Sequence, residues 1–82
     1  MRLDKFLKVS RIIKRRTVAN EACTGGRVIV NGKVAKPSHD LKIGDVIELE
    51  FGNRKISAKV LSLSEHVRKE EAADMYQIIS EE

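Results

Sequence analysis

Residues 11–34 read RIIKRRTVANEACTGGRVIVNGKV, and the fold is decided in this stretch. At about 100° per residue, Ala19, Ala22 and Cys23 share one face of a short helix, while Thr17, Asn20, Glu21 and Thr24 share the other. The apolar face carries only small side chains, so the helix must pack closely. Gly25-Gly26 ends it, because glycine can take the left-handed conformation that closes a helix C-terminus. The chain then turns extended at the β-branched run Val28-Ile29-Val30. Asn31-Gly32 suits a two-residue hairpin turn with positive φ at both centres, and Lys33-Val34 begins the return strand. Ahead of the helix stand Arg11, Lys14, Arg15 and Arg16. They add full positive charges to the partial positive charge of a helix N-terminus, an arrangement that attracts phosphate.

Outward from this centre, Leu3, Phe6 and Leu7 lie on one helical face with Ser10 and Ile13 in phase, while Lys5 and Lys8 point away. A first helix is predicted to end near Ser10, where Ile12 breaks the phase, and a second to start between Arg15 and Thr17. Lys36-Pro37-Ser38-His39-Asp40 reads as a loop, since proline biases its predecessor away from helix and Ser and Asp favour turns. Gly44-Asp45 is a further turn. Val46 to Phe51 alternates, with Ile47, Leu49 and Phe51 opposite Glu48 and Glu50, and after Gly52-Asn53 the strand returns over Lys55 to Leu63. From Glu65 the composition shifts to Glu, Ala, Lys and Arg, with Ala72, Met75, Tyr76 and Ile79 at helix-face spacing. A terminal helix with a frayed, polar start is predicted there, the alternative being a disordered segment that orders on a partner. No internal repeat is present.

The chain has 82 residues, 41% of them hydrophobic, with no Trp, one Tyr and two Phe. That is one domain with a small aliphatic core, too small for a deep ligand pocket. One cysteine excludes an internal disulfide, and Cys23 on the apolar face reads as a core thiol. No apolar run of about 18 residues offers a membrane span, and the cytoplasm is the default compartment. The net charge of +4 hides a division: residues 1–36 carry +8 and residues 37–82 carry −4. A basic face for a polyanion joined to an acidic remainder fits this split, and a solvated lysine-rich surface fits it less well. Four cations among residues 11–16 repel one another unless an anion relieves them.

Catalytic patterns are missing. Gly25-Gly26 closes a helix where a phosphate loop would open one, and His39, His66 and Cys23 lack metal-ligand spacing. No cofactor and no metal are expected. His39 reads as a loop residue that bonds locally or touches RNA. The acids Glu70, Glu71 and Asp74 read as a solvated helix face. Asp4, set among Arg2, Lys5, Lys8 and Arg11, is expected to orient one arginine, with Arg11 or Arg15 as its partner.

Arg2-Leu3-Asp4-Lys5-Phe6-Leu7, Arg16-Thr17-x-Ala19, Gly26-x-Val28-x-Val30-Asn31-Gly32 and Leu41-x-x-Gly44-Asp45 occur in this order, and the pattern resembles the S4 RNA-binding domain. The resemblance implies an α+β fold, two short packed helices against a small, mainly antiparallel sheet. It covers about the first half of the chain. Residues 1–64 would form the domain and residues 65–82 an acidic tail, helical in part. Many S4 domains have Ser where this chain has Arg15, so either Thr17 caps the second helix or Arg15 trades capping for phosphate contact.

The opening Met1-Arg2-Leu3-Asp4-Lys5, the run Lys14-Arg15-Arg16-Thr17 and the ending Glu70-Glu71-Ala72-Ala73-Asp74-Met75-Tyr76 are similar to the stand-alone, RqcP-like S4 factors of bacterial ribosome-associated quality control, relatives of the heat-shock S4 proteins. A monomer is expected, and that likeness implies a protein that binds large ribosomal subunits carrying peptidyl-tRNA. It would contact 23S rRNA and tRNA and support alanine tailing by RqcH. The RNA-binding residues would be Arg2, Lys5, Arg11, Lys14, Arg15, Arg16, Thr17 and Asn20, with Lys36 at the margin and Asp4 orienting. Two other classes stay open. A DNA-binding helix-turn-helix protein also has a basic second helix, although the Asn31-Gly32 hairpin directly after it argues otherwise. An RNA-binding arm acting in trans for an RNA-modifying enzyme is the other.

Overall fold

The computed structural model describes residues 1–82. Its elements are α1 (Leu3–Val9), α2 (Arg16–Thr24), β1 (Val28–Val30), β2 (Lys33–Val34), β3 (Val46–Phe51), β4 (Arg54–Val60), a 3-10 helix (Lys69–Met75) and β5 (Tyr76–Glu81). The strands form one antiparallel sheet in the order β2-β1-β3-β4-β5.

α1 ends where the sequence breaks phase, with Ser10 as C-cap and Arg11 at φ 63°. α2 starts at Arg16 on an extended Arg15 N-cap, and no side chain caps it. Thr17 therefore sits inside the first turn and is not the cap. At the other end Gly26 takes φ 75°; its N–H donates to Cys23 O (3.1 Å) and that of Arg27 to Ala22 O (3.0 Å). Those two bonds satisfy the last helical carbonyls and turn the chain into β1. Asn31 (φ 51°) and Gly32 (φ 84°) then make the β1–β2 turn.

One core joins the layers. Leu3, Phe6, Leu7 and Ile13 meet Ala19, Ala22 and Cys23 of α2 and the inward faces of the sheet at Val28, Val30, Ile47, Leu49 and Val60. Alternation places Ile47 and Leu49 inside and leaves Glu50 exposed. Phe51, assigned by alternation to the inner face, is 38% exposed at the strand end.

The C-terminal segment departs from the predicted helix. Ala72 and Met75 are buried on the 3-10 helix, but Tyr76 and Ile79 belong to β5, which pairs with β4 from Val60↔Tyr76 to Ile56↔Glu81. The physical reason is the open edge of β4, whose unpaired N–H and C=O groups accept a strand rich in β-branched and aromatic residues. The spacing of Ala72 and Met75 reflects a real turn; its extension to Tyr76 and Ile79 does not. β4 likewise ends at Val60, short of the expected Leu63, because Leu61 N and Ser62 N donate to Met75 O (2.8 and 3.2 Å).

Candidate nucleic-acid interface

The candidate interface lies where α1 begins and α2 begins. The N–H groups of Leu3 and Asp4 donate to His39 O (2.8 Å) and Pro37 O (3.1 Å), so the loop after β2 caps α1. This holds the first turn of α1 against the loop and seats Asp4 between the helices, 2% exposed.

Donors converge on the Asp4 carboxylate. Arg2 approaches with Nε (3.1 Å) and Nη2 (3.2 Å), the Lys5 N–H donates at 2.8 Å, and Asn20 Nδ2 donates at 3.3 Å. Arg16 Nη2 lies 3.5 Å away, a charge contact longer than an ordinary hydrogen bond. Burial pushes the Asp4 carboxyl up, yet the Arg2 and Asn20 bonds, the Arg16 charge and the Lys5 N–H together hold it below its ordinary value. The Asp4 bond and charge in turn raise Arg2. A buried anion thus holds two guanidinium groups that remain half exposed, at 50% and 49% of the side chain. An acid orienting an arginine was expected, but the partners are Arg2 and Arg16, not Arg11 or Arg15. Arg2 reaches Asp4 because it is the extended residue ahead of α1, and Arg16 because the helices pack against each other.

The other expected residues divide. Arg11, Lys14 and Arg15 are exposed in the connection between the helices and pair with no carboxylate. Thr17 is exposed on the first turn of α2, beside N–H groups that have no side-chain acceptor. Such an end suits an anion. Lys5 is not free: its Nζ lies 2.6 Å from Glu65 Oε1, and this pairing lowers the Glu65 carboxyl. Sequence reading missed Glu65, sixty residues away in the chain, since no local signal ties it to α1. Lys36 is exposed in the loop after β2 together with His39, and Lys33, exposed on β2 itself, stands beside them without a signal in the sequence that marks it as a site residue.

Elsewhere the ionisable groups are structural. Burial, with the Asp4 charge adding, pushes the Cys23 thiol up to about 11, so it stays protonated in the core. Lys42 and the N-terminal ammonium hold Asp40 down at about 2. No group of three or more His, Cys, Asp or Glu side chains is gathered to hold a metal ion, and no helix is long and apolar enough to cross a membrane.

The order of these parts is that of a known family: residues 1–47, from α1 through the start of β3, match the S4 domain model. The chain belongs to the S4 domain family. It is 59% identical over 81 residues to the RQC P-site tRNA stabilizing factor of Streptococcus pneumoniae, covering 99% of this chain and 92% of that one. Likeness to the factor of the same description from Bacillus subtilis is 52% over 82 residues, covering 100% and 95%. Among solved structures, a trimeric Heat Shock Protein 15 of Vibrio cholerae superposes with a TM-score of 0.90 at 34% identity, covering 98% of this chain and 82% of that one. The solution structure of HP1423 gives 0.82 at 30% identity, covering 98% of both. The S4 match ends at Ile47, whereas these likenesses continue through β4 and β5.

Proposed function

We propose that this S4 protein is an RNA-binding factor of bacterial ribosome-associated quality control, acting on large ribosomal subunits obstructed by peptidyl-tRNA. In this reading it works as a cytoplasmic monomer without chemistry of its own, contacts 23S rRNA and the tRNA together, and supports RqcH-dependent alanine tailing. The observation that carries the reading is the Asp4 cluster, with Arg2 and Arg16 held on a buried carboxylate before any RNA arrives. Guanidinium groups fixed in this way lose less rotamer freedom on meeting a phosphate than free ones do. The unpaired Arg11, Lys14 and Arg15 extend the cluster along the turn between the helices. Full-length likeness to factors described as stabilizing P-site tRNA supports the ribosomal assignment.

One face is used. Arg2, Arg11, Lys14, Arg15, Arg16, Thr17 and Asn20 form it, with Lys36 at its margin and Lys5 joining once Glu65 yields. Phosphate contacts position the protein and RNA shape selects the site, since so few side chains can read base edges. The test is sedimentation of the full chain with purified large subunits, empty or carrying peptidyl-tRNA. Preferential binding to the tRNA-bearing subunits is expected. Equal occupancy of both would remove the tRNA-dependent role, and migration as free protein with either would overturn the ribosomal assignment.

A further inference from the structure

The only cavity in the fold is an open groove of about 530 Å³ between the β1–β2 hairpin and the loop that follows it. Asn31, Lys33, Lys36, Ser38 and His39 supply its polar lining, and Val34, 66% exposed, is the open part of an apolar lining whose other members are buried. No carboxylate lines it, and neither lysine pairs with an acid. Both walls are already fixed. On the hairpin side, Ala35 N donates to Val28 O (3.0 Å), while the Asn31 side chain donates to Asp45 (3.0 Å) and accepts from Val46 N (2.9 Å). On the loop side, His39 N donates to Lys36 O (3.0 Å), and the carbonyls of Pro37 and His39 receive the first N–H groups of α1.

We infer that this groove holds one unpaired ribonucleotide of the bound RNA, a proposal that rests on the RNA-binding reading above. Two lysines beside an exposed isopropyl group and an imidazole ring match a nucleotide, whose phosphate is anionic and whose base presents an apolar face. The free lysines meet the flanking phosphates, the base lies against Val34 and the His39 ring, and the Ser38 hydroxyl is in place for a base edge or a 2′-OH. A duplex cannot insert a paired base here. The pocket therefore favours RNA with a bulged or looped nucleotide next to the helical segment held by α1 and α2. Because the groove wall is the same loop that caps α1, the two contacts are contiguous, and one RNA can occupy both.

The test uses the full chain, 15N-labelled, titrated separately with single-stranded pentauridylate and with a ten-base-pair RNA duplex. Pentauridylate should shift the amides of Lys33, Val34, Lys36 and His39, whereas the duplex should shift Arg16 and Thr17 and leave the groove unmoved. The double substitution Lys33→Gln, His39→Ala should weaken pentauridylate binding about tenfold, through one phosphate contact and one stacking surface, and change duplex affinity less than twofold. A circular-dichroism melt guards against misfolding, and the capping bond to Leu3 uses the His39 backbone and survives the substitution. The proposal is overturned if pentauridylate at millimolar concentration leaves the groove amides in place, if the duplex shifts them equally, or if the double variant binds pentauridylate unchanged. Groove binding by pentauridylate together with no sedimentation on any large subunit would keep this site and reject the ribosomal assignment instead.

Discussion

Replacing Asp4 by Asn removes the charge on which Arg2, Arg16, Asn20 and the Lys5 N–H converge, with almost no change in volume. An amide has one acceptor oxygen and turns an NH2 group toward donors, so at least one bond from Arg2 or Asn20 is lost and a donor faces a donor. Hydrogen bonds to charged groups contribute about 1.5–3 kcal/mol. Both arginine side chains are half in water, so the low end applies, and the expected loss is about 1.5 kcal/mol. For a domain of this size that lowers Tm by about 6–12 °C, read by circular dichroism. The folded carboxyl value lies below the ordinary 3.8, so the stabilisation is complete above that pH and fades as pH falls through the folded value. The gap between wild type and variant should therefore close in acid. RNA affinity should fall about five- to tenfold at fixed salt, although the substitution raises the net charge by one unit from +4. Tighter RNA binding with an unchanged Tm would refute the orienting role, because added positive charge would then outweigh lost preorganisation.

Arg15→Gln removes an exposed cation with no acidic partner, so stability should stay within about 0.5 kcal/mol while the slope of log affinity against log salt falls by about one; an unchanged slope would take Arg15 off the interface. Met75→Ala, at a site 1% exposed where the 3-10 helix meets β5, should cost about 2–4 kcal/mol in urea unfolding, and a loss below about 1 kcal/mol would mean that the C-terminal segment is not cooperative with the core.

The stretch from Arg16 to Val34 was legible because its signals are local. Small residues on one helix face, a glycine able to take positive φ and an Asn-Gly turn each act within a few bonds, and the structure realises all of them. The cationic character of the α1–α2 end was equally readable, since charge is a property of composition. Tertiary packing decided the rest. Arg16 and Asn20 reach Asp4 only because α1 and α2 pack together, Lys5 is claimed by a glutamate sixty residues on, and the groove beside Lys33 and His39 exists only once the loop after β2 has capped α1. The clearest case is Tyr76–Glu81, where a helical spacing inherited from Ala72 and Met75 gave way to a strand. Its backbone groups found partners on the open edge of β4, and a pairing between segments so far apart in the chain leaves no trace in local periodicity.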